Sequence, residues 1–291
     1  MSVTFSDYGF PTLENLIFPI SFTFDSPSFN IRAMKGFFIK KAFFDGWDNM
    51  IGMVLLNLAY IGLACLGIYG FSLGAITPVL GYAALLLVWL ITCLLMGGTA
   101  NVVKSYSDYS KDTWLMFKEG FVRNIKHSLV FFLISTVLFT MVFVVMPFYF
   151  MLDNIFGFIV TLVLFWVVLI VCFGLPFYFA LMEALPGDRS WKTFKKTFIV
   201  VLDNPGFAIF YFFYNIVSIA ISIFTMGLVP GIVGLQLAAQ DAVKLLMFKY
   251  DYLEENPDAD RKHLNWEDLL FEEKEKVGPR SFKGMIFPWK D

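Results

Sequence analysis

Charge is scarce in this sequence. Only 16% of the residues are Asp, Glu, Lys or Arg, while 58% are hydrophobic and 36 of the 291 are Phe. Soluble domains carry roughly a quarter charged residues, so the deficit points to a lipid solvent rather than an enlarged core. The net charge of −2 supplies no basic field for nucleic acid and no acidic tail. Cysteine is nearly absent. Cys65, Cys93 and Cys172 lie singly in apolar runs, odd in number and without a C-x-x-C pair, and read as small packing residues rather than a disulfide or metal site. His127 and His263 are the only histidines, both expected in segments on the cytoplasmic side. HExxH, GxSxG, P-loop and glycine-rich dinucleotide motifs are all missing. Asp108 and Asp112 fall in a Ser/Tyr/Lys-rich stretch that reads as a solvated loop. No catalytic residue, metal or cofactor is expected, and the chain reads as non-enzymatic. The first thirty residues lack Lys, Arg and a long apolar run, so the first span is expected to direct its own insertion.

What the sequence has is apolar runs. A hydrocarbon core of roughly 30 Å needs about 20 apolar residues of helix. Candidate spans are Met50–Tyr69, a stretch within Leu73–Val103, Ser128–Phe150, a stretch within Ile155–Met182, Phe207–Met226 and Leu228–Met247. The last holds Gln236, Gln240, Asp241 and Lys244, and hydropathy alone leaves it open. Charge placement decides for it. The turns "GFSLGAITP", "MLDN" and "MGLVPG" contain no Lys or Arg, and all 22 basic residues lie elsewhere. Six spans put every one of them on one side, and the positive-inside rule then places both termini on the cytoplasmic side.

The pattern Ile39-Lys40 to Phe43 recurs as Phe117-Lys118 to Phe121 and as Phe194-Lys195 to Phe198, each time before a hairpin of two spans. Two copies begin with a tryptophan, Trp114 and Trp191. Offsets of three and seven put Trp114, Phe117 and Phe121 on one helical face, and likewise Trp191, Phe194 and Phe198, with Lys118 and Lys195 at the margin. This is the pattern of a helix anchored in a membrane interface. Asn49, Asn124 and Asn204 follow the three copies, where their side chains are expected to cap the next span. The expected fold is all-α and polytopic: six transmembrane helices as three hairpins, each preceded by an amphipathic interfacial helix. Composition divides the chain into a segment 1–34, a membrane domain 35–250 with repeats at about 35–110, 111–187 and 188–250, and a tail 251–291.

The stretches "DGWDNMIGMVLLNL", "SYSDYSKDTWLMFKEGFVRNIKHSLVFFL", "KTFKKTFIVVLDNPGFAIFYFF" and "PGIVGLQLAAQDAVKLLMFKY" resemble the bacterial YesL-like family of membrane proteins, over residues from about Lys40 to Tyr252. The resemblance implies an accessory association with carbohydrate-uptake transporters and assigns no chemistry.

Polar residues inside lipid are costly and mark functional candidates. Gln236, Gln240 and Lys244 share one face of span six, and Asp241 is within reach of Lys244. That set reads as the polar lining of a solute path, or as an internal Asp–Lys pair with interhelical amides. Asn57 in span one and Asn215 in span five read as interhelical hydrogen-bonding residues. Glu183 is expected at headgroup level and wet, and Pro176 is expected to kink span four. Leu264, Trp266, Leu269, Leu270 and Phe271 are expected to form one short amphipathic helix, begun near Asn265 or Asp268. The aromatic end Met285–Trp289 and the segment Leu13–Phe24 are expected either to pack on the protein itself or to dock a partner. The leading expectation is an accessory or scaffold protein, contacting the bilayer and other proteins through its tail. The alternative is a small-molecule transporter, or the substrate-binding membrane subunit of one.

Overall fold

A computed structural model describes residues 28–260 and 264–280; the segment Leu13–Phe24, His263 and Met285–Trp289 lie outside them. Every regular element among the described residues is helical. They are α1 (Ser28–Asp48), α2 (Met50–Ile76), α3 (Pro78–Ser107), α4 (Thr113–Arg123), α5 (Ile125–Thr140), α6 (Met146–Phe150), α7 (Ile155–Gly174), α8 (Tyr178–Ala184), α9 (Ser190–Asp203), α10 (Pro205–Phe224), α11 (Gly231–Glu255), α12 (Trp266–Leu269) and α13 (Phe271–Val277). A π-turn, Met141–Val145, joins α5 to α6, and a 3₁₀ turn, Leu175–Phe177, joins α7 to α8.

Six of these stretches are long and apolar enough to cross a membrane: Met50–Ile76, Pro78–Ser107, Ile125–Phe150, Ile155–Ala184, Pro205–Phe224 and Gly231–Glu255. The protein is thus an all-α, polytopic membrane protein, with α1, α4 and α9 preceding the three hairpins. Span six is apolar enough despite its amides because it is an inside helix. In its most apolar stretch 67% of residues are buried, against no more than 22% in the other spans. Composition placed boundaries at residues 34 and 250, whereas contacts group the chain as Asn49–Gln240 and as Met1–Asp48 with Asp241–Asp291.

In the unit Asn49–Gln240, small residues set the approach of the first two spans. A Cβ on Gly81 would lie 2.2 Å from the Gly74 Cα, a distance only two glycines permit. Gly98 similarly makes room for the Phe117 ring. Asn154 caps span four by accepting from the Gly157 N–H at 2.8 Å. Pro176 breaks that span as expected, as a 3₁₀ turn rather than a bend in a continuous helix. Asn49, Asn124 and Asn204 stand at the first position of their spans, but none makes the expected side-chain cap. Asn124 instead donates to the Gly97 carbonyl at 2.9 Å and to Glu183 at 2.7 Å, and Asn204 bonds back to the Val200 carbonyl at 3.1 Å.

Glu183 is not wet. It is 2% exposed, held by Asn124 and by Arg123, while Lys104 donates to its backbone carbonyl at 2.7 Å. An unpaired carboxylate there would be costly, and these donors from α3, α4 and the start of span three offset it. His127 stands in the first turn of span three rather than in a connection.

Asn57 fastens the start of span six. Its Nδ2 donates to the Leu228 and Pro230 carbonyls, each at 2.9 Å, and its Oδ1 accepts from the Val233 N–H at 3.1 Å. Gly231 (φ +62) presses against it: a Cβ would lie 2.4 Å from the amide. Asn57→Ala is expected to cost about 2 kcal/mol by stranding three backbone groups. Gly231→Ala should also destabilise, yet the double variant should cost less than the sum, because removing Asn57 vacates the space the new methyl needs. Unfolding in mixed micelles measures all three; strict additivity would contradict the packing described.

Candidate functional site

A cavity of about 380 Å³ opens where spans two to six meet in the unit Asn49–Gln240. Trp89, Phe131, Phe179 and Ile232 supply apolar wall, and no charged residue lines it. The break at Leu175 and Pro176 forms part of the lining, so the interrupted helix and the cavity coincide. Four of the six expected polar residues fall in this unit, and three of them reach the cavity: Gln236, Gln240 and Asn215. Asn57 is the fourth and acts at the span-six start described above.

The three amides differ in one respect. Gln236 is fully engaged, its Nε2 donating to the Met96 carbonyl at 3.1 Å and its Oε1 accepting from the Thr99 hydroxyl, which also meets the Tyr60 hydroxyl at 2.8 Å. Thr92 donates to the Val88 carbonyl at 2.8 Å. Gln240 is 5% exposed, yet its Oε1 has no hydrogen-bond partner, and neither has the Nδ2 of Asn215. Asn215 stands ten residues into span five and Gln240 nine residues into span six, about 15 and 14 Å along their helices, close to the middle of a hydrocarbon core. An acceptor and a donor thus wait at one depth inside an apolar, uncharged chamber.

Asp241 and Lys244, expected beside these amides, belong to the other unit and meet new partners there. Lys41 on α1, fully buried, lies 2.7 Å from Asp45, 3.0 Å from Glu273 on α13 and 3.6 Å from Asp241. Lys244 reaches the same Glu273 oxygen at 3.0 Å. The anticipated Asp241–Lys244 reading missed Lys41 and Glu273, which are distant in sequence and carry no periodic signal. Arg280 grips Asp48 with two bonds of 2.8 Å and lies over the Phe44 ring, and Lys40 donates to the Gly278 carbonyl at 2.8 Å. The stretch expected as one helix forms two, α12 and α13. Leu264, Trp266, Leu270 and Val277 are buried with Phe38 and Phe44, while Phe271 points outward. Asn265 does begin α12, accepting from the Glu267 N–H at 3.2 Å. α1 therefore does more than lie at an interface: its inward stripe includes Lys41 and Asp45.

The aromatic anchors keep the predicted faces. Trp114, Phe117 and Phe121 follow one another along α4 with centroids 6.1 and 6.0 Å apart, and Trp191, Phe194 and Phe198 along α9 at 6.0 and 4.9 Å. Lys118 and Lys195 are exposed beside them. The neighbouring Lys196 is buried against Asp188 at 2.5 Å, and burial lowers its pKa.

Burial, and then Asp241 beside it, push the Asp45 carboxyl up to about 8 despite Lys41. Burial opposes the charge of Glu273 as well, but Lys41 and Lys244 hold its carboxyl down to about 2. The signs are opposite. The folded unit retains the Asp45 proton more tightly than the unfolded chain, so this group's contribution to stability falls as pH rises from about 4 to about 8. Glu273 contributes above its ordinary value of 4.5, a contribution lost as pH falls toward 2. Asp45→Asn is therefore expected to flatten the decline between about pH 4 and 8, whereas Lys41→Met, which leaves buried carboxylates uncompensated, should cost about 3–5 kcal/mol at neutral pH. Hydrogen exchange of residues 264–280 across that pH range measures both. No family model, curated protein or solved structure matches this chain.

Proposed function

We propose that this protein binds a small, neutral, largely apolar molecule within its spanning bundle, as a transporter or as the substrate-binding membrane subunit of one. The observation that carries this reading is the pair of unengaged amide atoms, Gln240 Oε1 and Asn215 Nδ2, on two residues that line a largely apolar cavity. A buried polar atom without a partner costs about 1–3 kcal/mol, and a ligand hydroxyl, primary amide or protonated acid offers both a donor and an acceptor. Binding near the bilayer midplane beside a discontinuous helix is the arrangement that transporters use. A charged solute has no counter-ion in this cavity, and a sugar has far more hydroxyls than the lining has free partners.

The scaffold role implied by the resemblance to the YesL-like family is less well supported, because Leu264, Trp266 and Leu270 of its candidate docking tail are buried within their own unit. An accessory place beside a carbohydrate-uptake system stays compatible with a non-sugar ligand. The distribution of Lys and Arg supports both termini in the cytoplasm, and the resemblance supports a bacterial inner membrane.

The test uses the protein in phosphatidylcholine nanodiscs and a photoreactive decanamide. Saturable labelling of Cys172, Leu175 or Leu235 is expected, competed by unlabelled decanamide and not by glucose. The Gln240→Leu, Asn215→Leu double variant should label about fivefold less or weaker still, the equivalent of a lost hydrogen bond. Labelling that is absent from these residues, or unmoved by the double variant in correctly folded protein, overturns the proposal.

A further inference from the structure

Beyond the first cavity lies a second chamber of about 490 Å³, a groove open toward lipid at Ile68, Ile223 and Met226, which are all exposed. Ile61, Ala64, Cys65 and Ile68 of span one form one wall, and Ile223 and Met226 at the far end of span five form another. Ile219, Ile232 and Leu235 line both cavities, so the two chambers stand on either side of the same three side chains. The second chamber asks nothing of a polar ligand. Tyr60 is satisfied by Thr99, and Ser222 donates to the Ser218 carbonyl at 2.8 Å while accepting from the Gly231 N–H at 3.0 Å. Along span five the two linings run from Tyr211 to Ile223, about 18 Å of helix, with Asn215 toward one end. The polar demand is concentrated in the first chamber, and the hydroxyls of the second are already engaged.

Resting on the binding function proposed above, we infer that the ligand is a single-chain amphiphile. Its neutral head, bearing both a donor and an acceptor, seats on Gln240 and Asn215, and its hydrocarbon chain passes Ile219, Ile232 and Leu235 into the second chamber. A compact solute fills only the first chamber. A long chain fills both, and it reaches the site from the bilayer, where such molecules are concentrated. The three shared side chains are aliphatic, which suits a gate that a methylene chain threads without polar contact. Cys65 in the second chamber and Cys172 in the first are native reporters of the two sites.

The test compares the photoreactive decanamide with a hexadecanamide carrying its diazirine on the terminal carbon, both in phosphatidylcholine nanodiscs. The long probe is expected to label Ile61, Cys65 or Met226. That labelling should drop about fivefold or more in the Gln240→Leu, Asn215→Leu variant, because the tail is held there by its head. Ala64→Trp, which fills the second chamber, should lower the ratio of long-probe to short-probe labelling by a similar factor. If the short probe labels the first cavity while the long probe's terminus is absent from the second chamber, the amphiphile is overturned and the binding function stands. The same holds if labelling there ignores the head-anchoring substitutions, since free lipid chains alone would do that. If neither probe labels the first cavity, both proposals fall. Ile61→Trp serves in place of Ala64→Trp should the latter not fold.

Discussion

In the hydrocarbon of a bilayer a polar group has no water to fall back on, and each one must find its partner within the protein. Most of this bundle can be understood from that constraint. Asn57 meets three backbone groups at the start of span six. Tyr60, Thr99 and Gln236 form a chain ending on the Met96 carbonyl. Ser222 and Thr225 close the turn between spans five and six. Ser128 and Thr136 of span three have hydroxyls without a hydrogen-bond partner, but among the described residues only Gln240 and Asn215 combine an unengaged amide atom with a place in the cavity lining. Both residues line the cavity, and that is what distinguishes a receptive site from a defect.

Buried charge obeys the same constraint with higher stakes. Glu183 and the group around Lys41 each join residues from different helices, and Asp188 in the turn before α9 pairs with Lys196 on it. Such clusters contribute little net stability compared with apolar packing, but removing one member strands the others. Their value is positional. Glu183 is tied to Arg123 and Asn124, between α4 and span three, and Lys104 reaches its backbone. Lys41 does the same for α1, α11 and α13.

The spans, the hairpin plan and the aromatic faces were legible because each is written in a period: apolar runs of helical length, turns empty of Lys and Arg, and rings at offsets of three and seven. The break at Pro176 was legible because proline chemistry is local. Glu183, Lys41 and Glu273 were not, since nothing near Lys41 in sequence distinguishes it from the exposed Lys118 or Lys195. In "FKKTF" two adjacent lysines have opposite fates, and only the packing of α9 separates them. The amides of span six were legible as a face, but not which of them would be left unengaged. That depends on Thr99 and the Met96 carbonyl, supplied by another helix. The expected asparagine cap at Asn124 failed for a related reason: its Oδ1, the atom that would cap, accepts from the Arg123 guanidinium at 3.3 Å, while its Nδ2 donates to Glu183.

The ring of acids around Lys41 also dictates an order of events during synthesis. Lys41 leaves the ribosome before any span, whereas Glu273 follows only after all six have been made. Until then α1 carries a lysine and an aspartate on its inward stripe with no counterpart from α13. Of the described helices, the one made first is therefore completed by a helix made after all six spans. A polypeptide interrupted before α13 leaves the buried Lys41 without its Glu273 partner, a defect of the kind that proteases and chaperones read.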